Sequence, residues 1–470
     1  MRAHPLPRLV VIGLAILAVA GCTVAAPSSP APHTPPATGP DASSTGGPPT
    51  AATASPLPGA PGDAAGAWLL VGRRGEPDLH LVLSTTGELG MDVPSGSPRP
   101  AWDRIVTATA AGPATIVRDE VVQPGFGGPE LRIDGHWRLP TIGLDPIPAG
   151  RSLDGSTIAL VEGSYDPSAA TSRFAIVEHH LLDARSTAGD TPLRLARVIA
   201  LPGAFEYDTL SPDGRILYVI QHLDAVAGGS YQVRAVEVAT GQLRDGVIVD
   251  KGNPDERMAG SPIAQVRRPD GLVLTLYRGP EHPFIHALMS KDGWAVCIDL
   301  PAGTAGTDGT AAADVATAAL DWGLASSADG QSVFAVNATL GLAVDVDPGG
   351  LAVRRSASIG ASAAAPIVLA KFGHDETGPV GRRLVAAPDG TLLFAAGADG
   401  ITAIRTADLA ATRHDLAGSA VDSLGITPDG AVLFALVRGG TIVALDARGG
   451  RALGTVPGDG YDRLLAVSPG

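Results

Sequence analysis

The chain has 470 residues, long enough for one large all-β domain or for two or three ordinary domains. Its 60 glycines, 40 prolines and low charged fraction of 17% are typical of many short strands joined by turns. The formal net charge is −14, with 34 basic against 48 acidic residues. Because a phosphate backbone requires a cationic surface, we expect no nucleic-acid partner.

The N-terminus has the pattern of a targeting signal. Arg2 and Arg8 precede an apolar run over residues 9–20, shorter than the roughly 20 residues that span a bilayer. The run leads into Val19-Ala20-Gly21-Cys22, which resembles the lipobox of a bacterial lipoprotein. The resemblance implies removal of residues 1–21 as a signal peptide and acylation of Cys22 with fatty acids such as palmitate. The protein would then sit on the extracytoplasmic face of the cell membrane. The alternative is an ordinary signal peptide with an accidental cysteine.

Residues 22–65 consist mainly of Pro, Ala, Ser, Thr and Gly and contain hardly a charge or an aromatic ring. Such a segment cannot bury enough apolar surface to offset its ordering, so we predict a disordered tether, followed by a folded domain over residues 66–470. Cys297 is the only cysteine besides Cys22. With Cys22 acylated, no intramolecular disulfide is available. We expect Cys297 to be a small buried apolar residue rather than a nucleophile.

A Pro-Asp-Gly turn recurs along the folded part, at 212–214, 269–271, 388–390 and 428–430, each time before an apolar run. Looser Asp-Gly copies lie at 154–155 and 329–330. Pro presets the backbone of the turn, while Asp and Gly accept the tight reversal, so the chain doubles back into an antiparallel neighbour. Repetition at roughly 40 to 50 residues predicts the four-stranded blades of a β-propeller.

The clearest unit spans residues 421–460 and predicts four strands, at 423–427, 432–437, 441–446 and 451–457. Comparable units are predicted at 150–203, 207–252, 262–303, 322–360 and 382–418, with a fainter one at 104–142 that lacks the Asp-Gly turn. After the last unit, residues 461–470 match a first strand alone. The missing second to fourth strands are predicted at 68–72, 79–84 and 90–93. The C-terminal strand should therefore pair with the N-terminal blade and close the ring.

Seven internal units and one split blade predict a single all-β propeller of eight four-stranded blades, with seven blades as the alternative. The run Ser211-Pro212-Asp213-Gly214-Arg215-Ile216-Leu217-Tyr218-Val219 resembles the YVTN-type repeat of lactonase-like propellers and of many bacterial surface proteins. The resemblance implies a blade architecture and says little about activity, since propellers include enzymes and scaffolds alike.

In such a blade the a–b and c–d turns lie at one end, which is nearly all short turns. The b–c and d–a loops lie at the other end and are long and varied, at 164–172, 221–230, 252–261, 279–283 and 361–380. Variable loops on one rim are where function normally resides. Carboxylates and imidazoles on this rim are candidates for ligand or metal binding or for proton transfer, against the alternative of an ordinary solvated rim. They are Asp208, His222, Asp224, Asp255, Glu256, Glu281, His282, His374, Asp375 and Glu376.

A second candidate site lies at the axis. Acidic residues recur at the start of the predicted inner strands, four of the five beside a Trp or Tyr: Asp103, Asp208, Asp321, Asp422 and Asp462. Carboxylates converging at one mouth could hold a cation or a sugar. The alternative is that each Asp caps its turn while the aromatic ring packs between blades. His282 and His286 stand four apart in a predicted strand, without the helix that a His-Glu-x-x-His metal motif requires.

No motif assigns a catalytic residue, a metal ligand or a cofactor, so enzymatic activity stays undecided. We expect a lipid-anchored extracytoplasmic propeller that binds or scaffolds through its long-loop rim. Its partners would be the membrane, through the anchor, and a protein, a cell-wall component or a small molecule. The alternatives are a lactonase-like hydrolase or isomerase acting at the axial mouth, and a structural spacer associated with the wall.

Overall fold

A computed structural model describes residues 66–73, 79–93, 96–98, 104–121, 128–143, 148–163, 166, 168–180, 192–224, 228–248, 257–279, 282–301, 321–360 and 381–467. The chain divides into two units, Met1–Thr53 and Ala54–Gly470, and all described residues belong to the second. The predicted signal peptide, Cys22 and the predicted tether lie outside the described residues. The described residues contain no helix, and hence none long and apolar enough to cross a membrane.

The second unit is an all-β propeller of eight four-stranded antiparallel sheets, so the predicted blade number is confirmed. We number the blades from the N-terminus and letter the strands of each blade a to d. The a strands of successive blades contact each other, for example those of blades 5 and 6, whereas the d strand of blade 6 alternates exposed and half-buried residues. Strand a therefore lies nearest the axis and strand d outermost.

The strands of blades 1 to 4 follow, each blade in the order a to d. Blade 1 consists of β32 (Tyr461–Val467), β1 (Trp68–Arg73), β2 (Leu79–Leu83) and β3 (Leu89–Val93). Blade 2 consists of β4 (Gly96–Pro98), β5 (Arg104–Ala111), β6 (Ala114–Val121) and β7 (Glu130–Asp134). Blade 3 consists of β8 (Trp137–Arg138), β9 (Thr157–Glu162), β10 (Thr171–His179) and β11 (Leu193–Pro202). Blade 4 consists of β12 (Phe205–Leu210), β13 (Ile216–His222), β14 (Ser230–Glu237) and β15 (Met258–Ala259).

The remaining blades follow in the same order. Blade 5 consists of β16 (Ser261–Arg267), β17 (Leu272–Arg278), β18 (Pro283–Met289) and β19 (Trp294–Asp299). Blade 6 consists of β20 (Trp322–Ser326), β21 (Val333–Asn337), β22 (Leu342–Asp347) and β23 (Ala352–Ser358). Blade 7 consists of β24 (Leu384–Ala386), β25 (Leu392–Gly397), β26 (Gly400–Arg405) and β27 (Ala411–Asp415). Blade 8 consists of β28 (Val421–Ile426), β29 (Val432–Val437), β30 (Thr441–Asp446) and β31 (Ala452–Thr455).

Blade 1 combines the two ends of the unit. Strand β32 pairs antiparallel with β1, with Leu70 opposite Ala466 and Val71 opposite Leu464. The predicted closure by the C-terminal strand is therefore confirmed. It leaves no sheet of the ring without its inner strand, and it covers an edge that would otherwise invite pairing with another chain.

Blades 2 and 3 differ from the predicted units. The unit predicted at 104–142 begins one strand too late, because its inner strand is the three-residue β4, before residue 104. Trp137 and Arg138 belong to the next blade, where they pair with Glu162 and Val161 of β9. The rest of that inner edge is reduced to a single bridge between Arg151 and Ile158.

The a–b turns explain the recurring Asp-Gly. In blade 4 the Asp213 carboxylate accepts hydrogen bonds from the Ser211 hydroxyl at 2.7 Å and the Arg215 amide at 3.2 Å. In blade 8 Asp429 does the same for the Thr427 hydroxyl and the Ala431 amide. The glycine that follows has a φ of 68° in blade 4 and 70° in blade 8, a conformation that favours Gly. The motif is thus a local clamp that closes this end of a blade.

The core is divided among the blade interfaces. Each of eight apolar clusters joins the facing sides of two neighbouring blades. Three aromatic residues at the starts of inner strands, Tyr207, Trp322 and Tyr461, are each 1% exposed and pack in these clusters. The ring is therefore held by packing between blades, with no disulfide in the described residues.

Candidate binding rim

We call the end of the propeller with the b–c and d–a connections the long-loop rim, and the opposite end the turn rim. A pocket of about 80 Å³ lies on the long-loop rim between blades 3 and 4. Its floor contains Phe174, Phe205 and Tyr207, all buried, and Thr171 is exposed at its lip. The charged residues that line it are Arg138, Glu162, Asp166, Arg173 and Glu206.

Neighbouring strands hold the charged groups in place. The Arg173 guanidinium lies 2.5 Å from the Glu162 carboxylate and 5.5 Å from the centre of the Trp137 ring. The Arg138 guanidinium donates to the Gly163 carbonyl at 2.5 Å. The pocket wall therefore presents both signs of charge above an apolar floor, fixed by contacts that involve three strands of blade 3.

One predicted rim residue reaches this pocket through a partner. The Nε2 atom of His222, at the end of β13, lies 3.2 Å from the carboxylate of Glu206, which lines the pocket. Both side chains are largely buried. The contact with the His222 ring therefore holds the Glu206 carboxylate in place in the pocket wall.

The other described rim candidates are engaged separately. Asp224 accepts a hydrogen bond from the Ser230 amide at 3.0 Å, and the hydrogen bonds from Ser230 lower the pKa of this exposed carboxyl. The His282 ring lies 2.9 Å from the Asp299 carboxylate in blade 5. Six further candidates lie outside the described residues: Asp255, Glu256, Glu281, His374, Asp375 and Glu376.

The axial candidates do not share a ligand position. The Asp321 carboxylate accepts from the Thr339 hydroxyl at 2.6 Å. Asp422 pairs with Arg438 at 3.0 Å, and Asp462 pairs with Arg463 at 3.0 Å. Asp103 lies outside the described residues. Among the residues that the structure describes, no group of three or more His, Cys, Asp or Glu side chains has the geometry to hold a metal ion.

Asp208 is 1% exposed, about as buried as Asp321 at 2%, and it differs from the other axial candidates in that its carboxylate faces blade 5. The Gln265 side-chain amide donates to the Asp208 carboxylate over a long distance of 3.4 Å and to the Asp208 carbonyl at 3.2 Å. Burial raises the pKa of this carboxyl to about 7; the nearby Glu206 adds to the rise and Arg267 opposes it. Asp208 is therefore largely protonated in mildly acidic conditions.

The pocket residues Arg138, Glu162, Arg173 and Glu206 were missed by sequence reasoning. They come from β8, β9, β10 and β12, and no local motif links them. The one signal in the sequence is their position, because all four lie near the ends of strands that the meander directs to the long-loop rim. His286 is also buried. The sequence draws attention to it only through its four-residue spacing from His282, which is not a metal motif in a strand.

No family model and no curated protein matches the chain. Solved structures with a similar fold include the dihydro-heme d1 dehydrogenase NirN in complex with DHE, at 14% identity, with 87% of this chain and 76% of that chain covered and a TM-score of 0.50. They include Sqt1 from Chaetomium thermophilum, bound to the N-terminus of the ribosomal protein L10, at 16% identity, 77% and 86% coverage and a TM-score of 0.45. A putative 6-phosphogluconolactonase from Bacteroides uniformis matches at 14% identity, 86% and 99% coverage and a TM-score of 0.42.

Likeness at these identities concerns the fold alone. The chain is an eight-bladed β-propeller, and the resemblance of its repeats to the YVTN type stays a prediction.

Proposed function

We propose that this propeller is a lipid-anchored extracytoplasmic binding module, and that its ligand or partner docks on the long-loop rim at the pocket between blades 3 and 4. The size of that pocket carries the proposal. Sites that enclose a whole small molecule occupy roughly 300–1,000 Å³. A pocket of about 80 Å³ suits one anchoring group of a larger partner, such as a side chain or part of a sugar, better than an enclosed substrate.

The two rims differ in a way that supports this assignment. On the turn rim, the a–b turns of blades 3 to 8 each hold an Asp whose carboxylate accepts hydrogen bonds within the turn. Because these carboxylates are already hydrogen-bonded within their own turns, they are less available to bind a partner. On the long-loop rim, Arg138, Glu162 and Arg173 present charged groups around a concave, apolar floor. A concave surface that places charged groups around buried aromatic side chains can fix the orientation of a partner that docks there.

The experiment compares two variants of the full chain that add the same bulky group to opposite rims. Thr171→Trp fills the lip of the pocket, and Gln331→Trp places an equally large ring on an exposed turn of blade 6. Thermal unfolding is measured against a panel of sugars, lactones and short peptides. A ligand at about 100 times its dissociation constant should stabilise the protein by about 2.7 kcal/mol.

We expect the ligand-dependent rise in Tm to disappear in Thr171→Trp and to persist in Gln331→Trp. A rise that survives in both variants would place the ligand elsewhere, for example at the axial mouth. Turnover of a lactone in the same panel would favour the lactonase-like alternative instead. A panel without any response, together with no partner in cells, would favour the wall-associated spacer.

The lipid anchor is proposed from the lipobox and is tested separately. Cys22→Ser removes the thiol that would be acylated, so we expect the protein to move from the membrane fraction to the soluble extracytoplasmic fraction and to lose palmitate labelling. Cys297→Ser is the matched control, because it removes the other thiol and should change neither property. Membrane association that persists in Cys22→Ser would contradict the anchor without affecting the rim.

A further inference from the structure

A row of polar side chains crosses blade 5 inside its packed face. Gln265 of β16 pairs with Thr275 of β17, Thr275 pairs with His286 of β18, and His286 pairs with Cys297 of β19. Directly paired residues of neighbouring strands direct their side chains to the same face of the sheet. Here that face packs against blade 4, in the cluster that includes Tyr277, Phe284 and Cys297.

His286 is the unexplained member of this row. The residue is 1% exposed, and neither ring nitrogen has a hydrogen-bond partner among the described residues. Its ring contacts Tyr277 edge-on, with the ring centres 6.3 Å apart. A buried polar group without a partner lowers the stability of a protein by about 1–3 kcal/mol. Two such nitrogens on one ring therefore suggest that the ring binds a ligand.

Two sulfur atoms belong to the same interface. Cys297 stands directly opposite His286, where the Cβ atoms of paired residues are roughly 4.5–5.5 Å apart. Unlike His286, Cys297 is only half-buried. Met258 of β15, on the facing side of blade 4, packs in the same cluster as Cys297. The interface thus combines an imidazole, a thiol and a thioether.

This donor set selects among metal ions. Thiolate and thioether sulfur are soft ligands that favour Cu(I), and imidazole also binds copper, whereas Ca²⁺ and Mg²⁺ require oxygen. Cu(I) accepts two or three ligands, so the site needs no third His, Cys, Asp or Glu. A neutral imidazole has a lone pair on one ring nitrogen, which is the group that binds a metal.

We propose that Cys297 and His286 bind one Cu(I) ion between blades 4 and 5, with the Met258 thioether as a third donor. On binding, the thiol releases its proton to solvent, a bond forms between Cys297 Sγ and copper, and one ring nitrogen of His286 donates its lone pair. Copper stays in the +1 state throughout, so no oxidant or reductant is consumed. The bound ion would join two blades through their side chains.

The test uses the full chain with Cys22→Ser, so that Cys297 is the only thiol. Cu(I) is titrated anaerobically against the chromophoric competitor bicinchoninate. We expect one equivalent to bind, Cys297→Ser to weaken binding at least 100-fold, and Met258→Leu to weaken it about tenfold. Met289→Leu is the matched control, because Met289 lies on the same strand, three residues after His286, but packs on the opposite face, against blade 6. It should leave the affinity unchanged.

Copper K-edge absorption of the loaded protein then identifies the ligands without relying on a substitution at His286. We expect sulfur and nitrogen in the first coordination shell, and loss of the short sulfur contribution in Cys297→Ser. Binding of equal strength and stoichiometry in Cys297→Ser would overturn the proposal. So would a shell without nitrogen, or failure of the folded protein to compete with bicinchoninate.

Discussion

Val71, in the first described strand of the chain, pairs with Leu464, in the last, and both side chains are fully buried. The pair lies in the apolar cluster between blades 8 and 1. Residues from the two ends of the folded unit therefore share one sheet and one core, so blade 1 forms only when both ends are present.

Leu464→Ala should destabilise the propeller by about 2–5 kcal/mol, because it removes buried apolar surface and leaves a cavity at the closure. Leu153→Ala is the control, since Leu153 is 40% exposed on a turn of blade 3 and its truncation should cost within about 0.5 kcal/mol. The midpoint of urea unfolding measures both. Equal midpoints for the two variants would contradict the closure of the ring by β32.

Asp208 should make stability fall as pH rises from about 4 to about 7. Its pKa is about 7 in the folded state against an ordinary 3.8, so the native state binds a proton that the unfolded state has already lost in this range. A shift of that size corresponds to at most about 4 kcal/mol. Asp208→Asn cannot ionise, and its unfolding free energy should exceed that of the wild type by an amount that grows up to pH 7 and then stays constant.

Unfolding by urea at pH 4, 5.5, 7 and 8 measures this difference. Asp422→Asn is the control, because Asp422 is only partly buried and pairs with Arg438. A difference between Asp208→Asn and wild type that does not change with pH would show that Asp208 ionises normally in the folded protein.

Two His–Asp pairs should differ in how much they contribute to the stability of the fold. His179 and Asp119 are both almost fully buried and join blades 3 and 2 at 2.8 Å, whereas Asp92, the partner of His80, has a side chain that is 62% exposed. Asp119→Ala should cost about 3–5 kcal/mol, since it leaves the buried Nε2 atom of His179 without its partner, while Nδ1 keeps its contact with the Gly155 carbonyl. Asp92→Ala should cost at most about 1 kcal/mol. Comparable losses in thermal unfolding would contradict the structural role given to the buried pair.

Gly430→Ala should destabilise blade 8 by about 1–2 kcal/mol, because a residue with a side chain is strained at a φ of 70°. An added Cβ would also lie 3.0 Å from Cδ of Pro388 in the neighbouring turn. Gly349→Ala is the matched control in another turn, where the Cβ would meet only the Asp347 carboxylate, at 3.4 Å. We expect this control to stay within about 0.5 kcal/mol of wild type in chemical unfolding.

Much of the fold was readable from the sequence because its signals are local. The strands predicted at 432–437 and 441–446 match β29 and β30, and the split blade followed from complementary fragments at the two ends. Blade 2 was misplaced because its inner strand, β4, has three residues and no Asp-Gly turn after it. Such a short strand is fixed by its neighbours in the ring rather than by its own pattern.

The site was less readable, because it depends on contacts between blades. Arg173 and Glu206 meet at one pocket only after blades 3 and 4 pack, and neither belongs to a motif. The seam between blades 4 and 5 is similar. His286 was recognised as a strand residue, but its complete burial depends on the facing residues of blade 4.

The central claim is that partners dock on the long-loop rim, and site-specific photo-crosslinking in the native cell tests it most directly. A photoreactive amino acid is placed at Thr171, on the lip of the pocket, or at Gln331, on the turn rim, in otherwise unchanged full chains. We expect a discrete crosslinked product from position 171. An excess of wild-type protein should compete this product away, whereas an excess of Thr171→Trp should not. Position 331 should give no such product. Crosslinking from position 331 and none from position 171 would contradict the account.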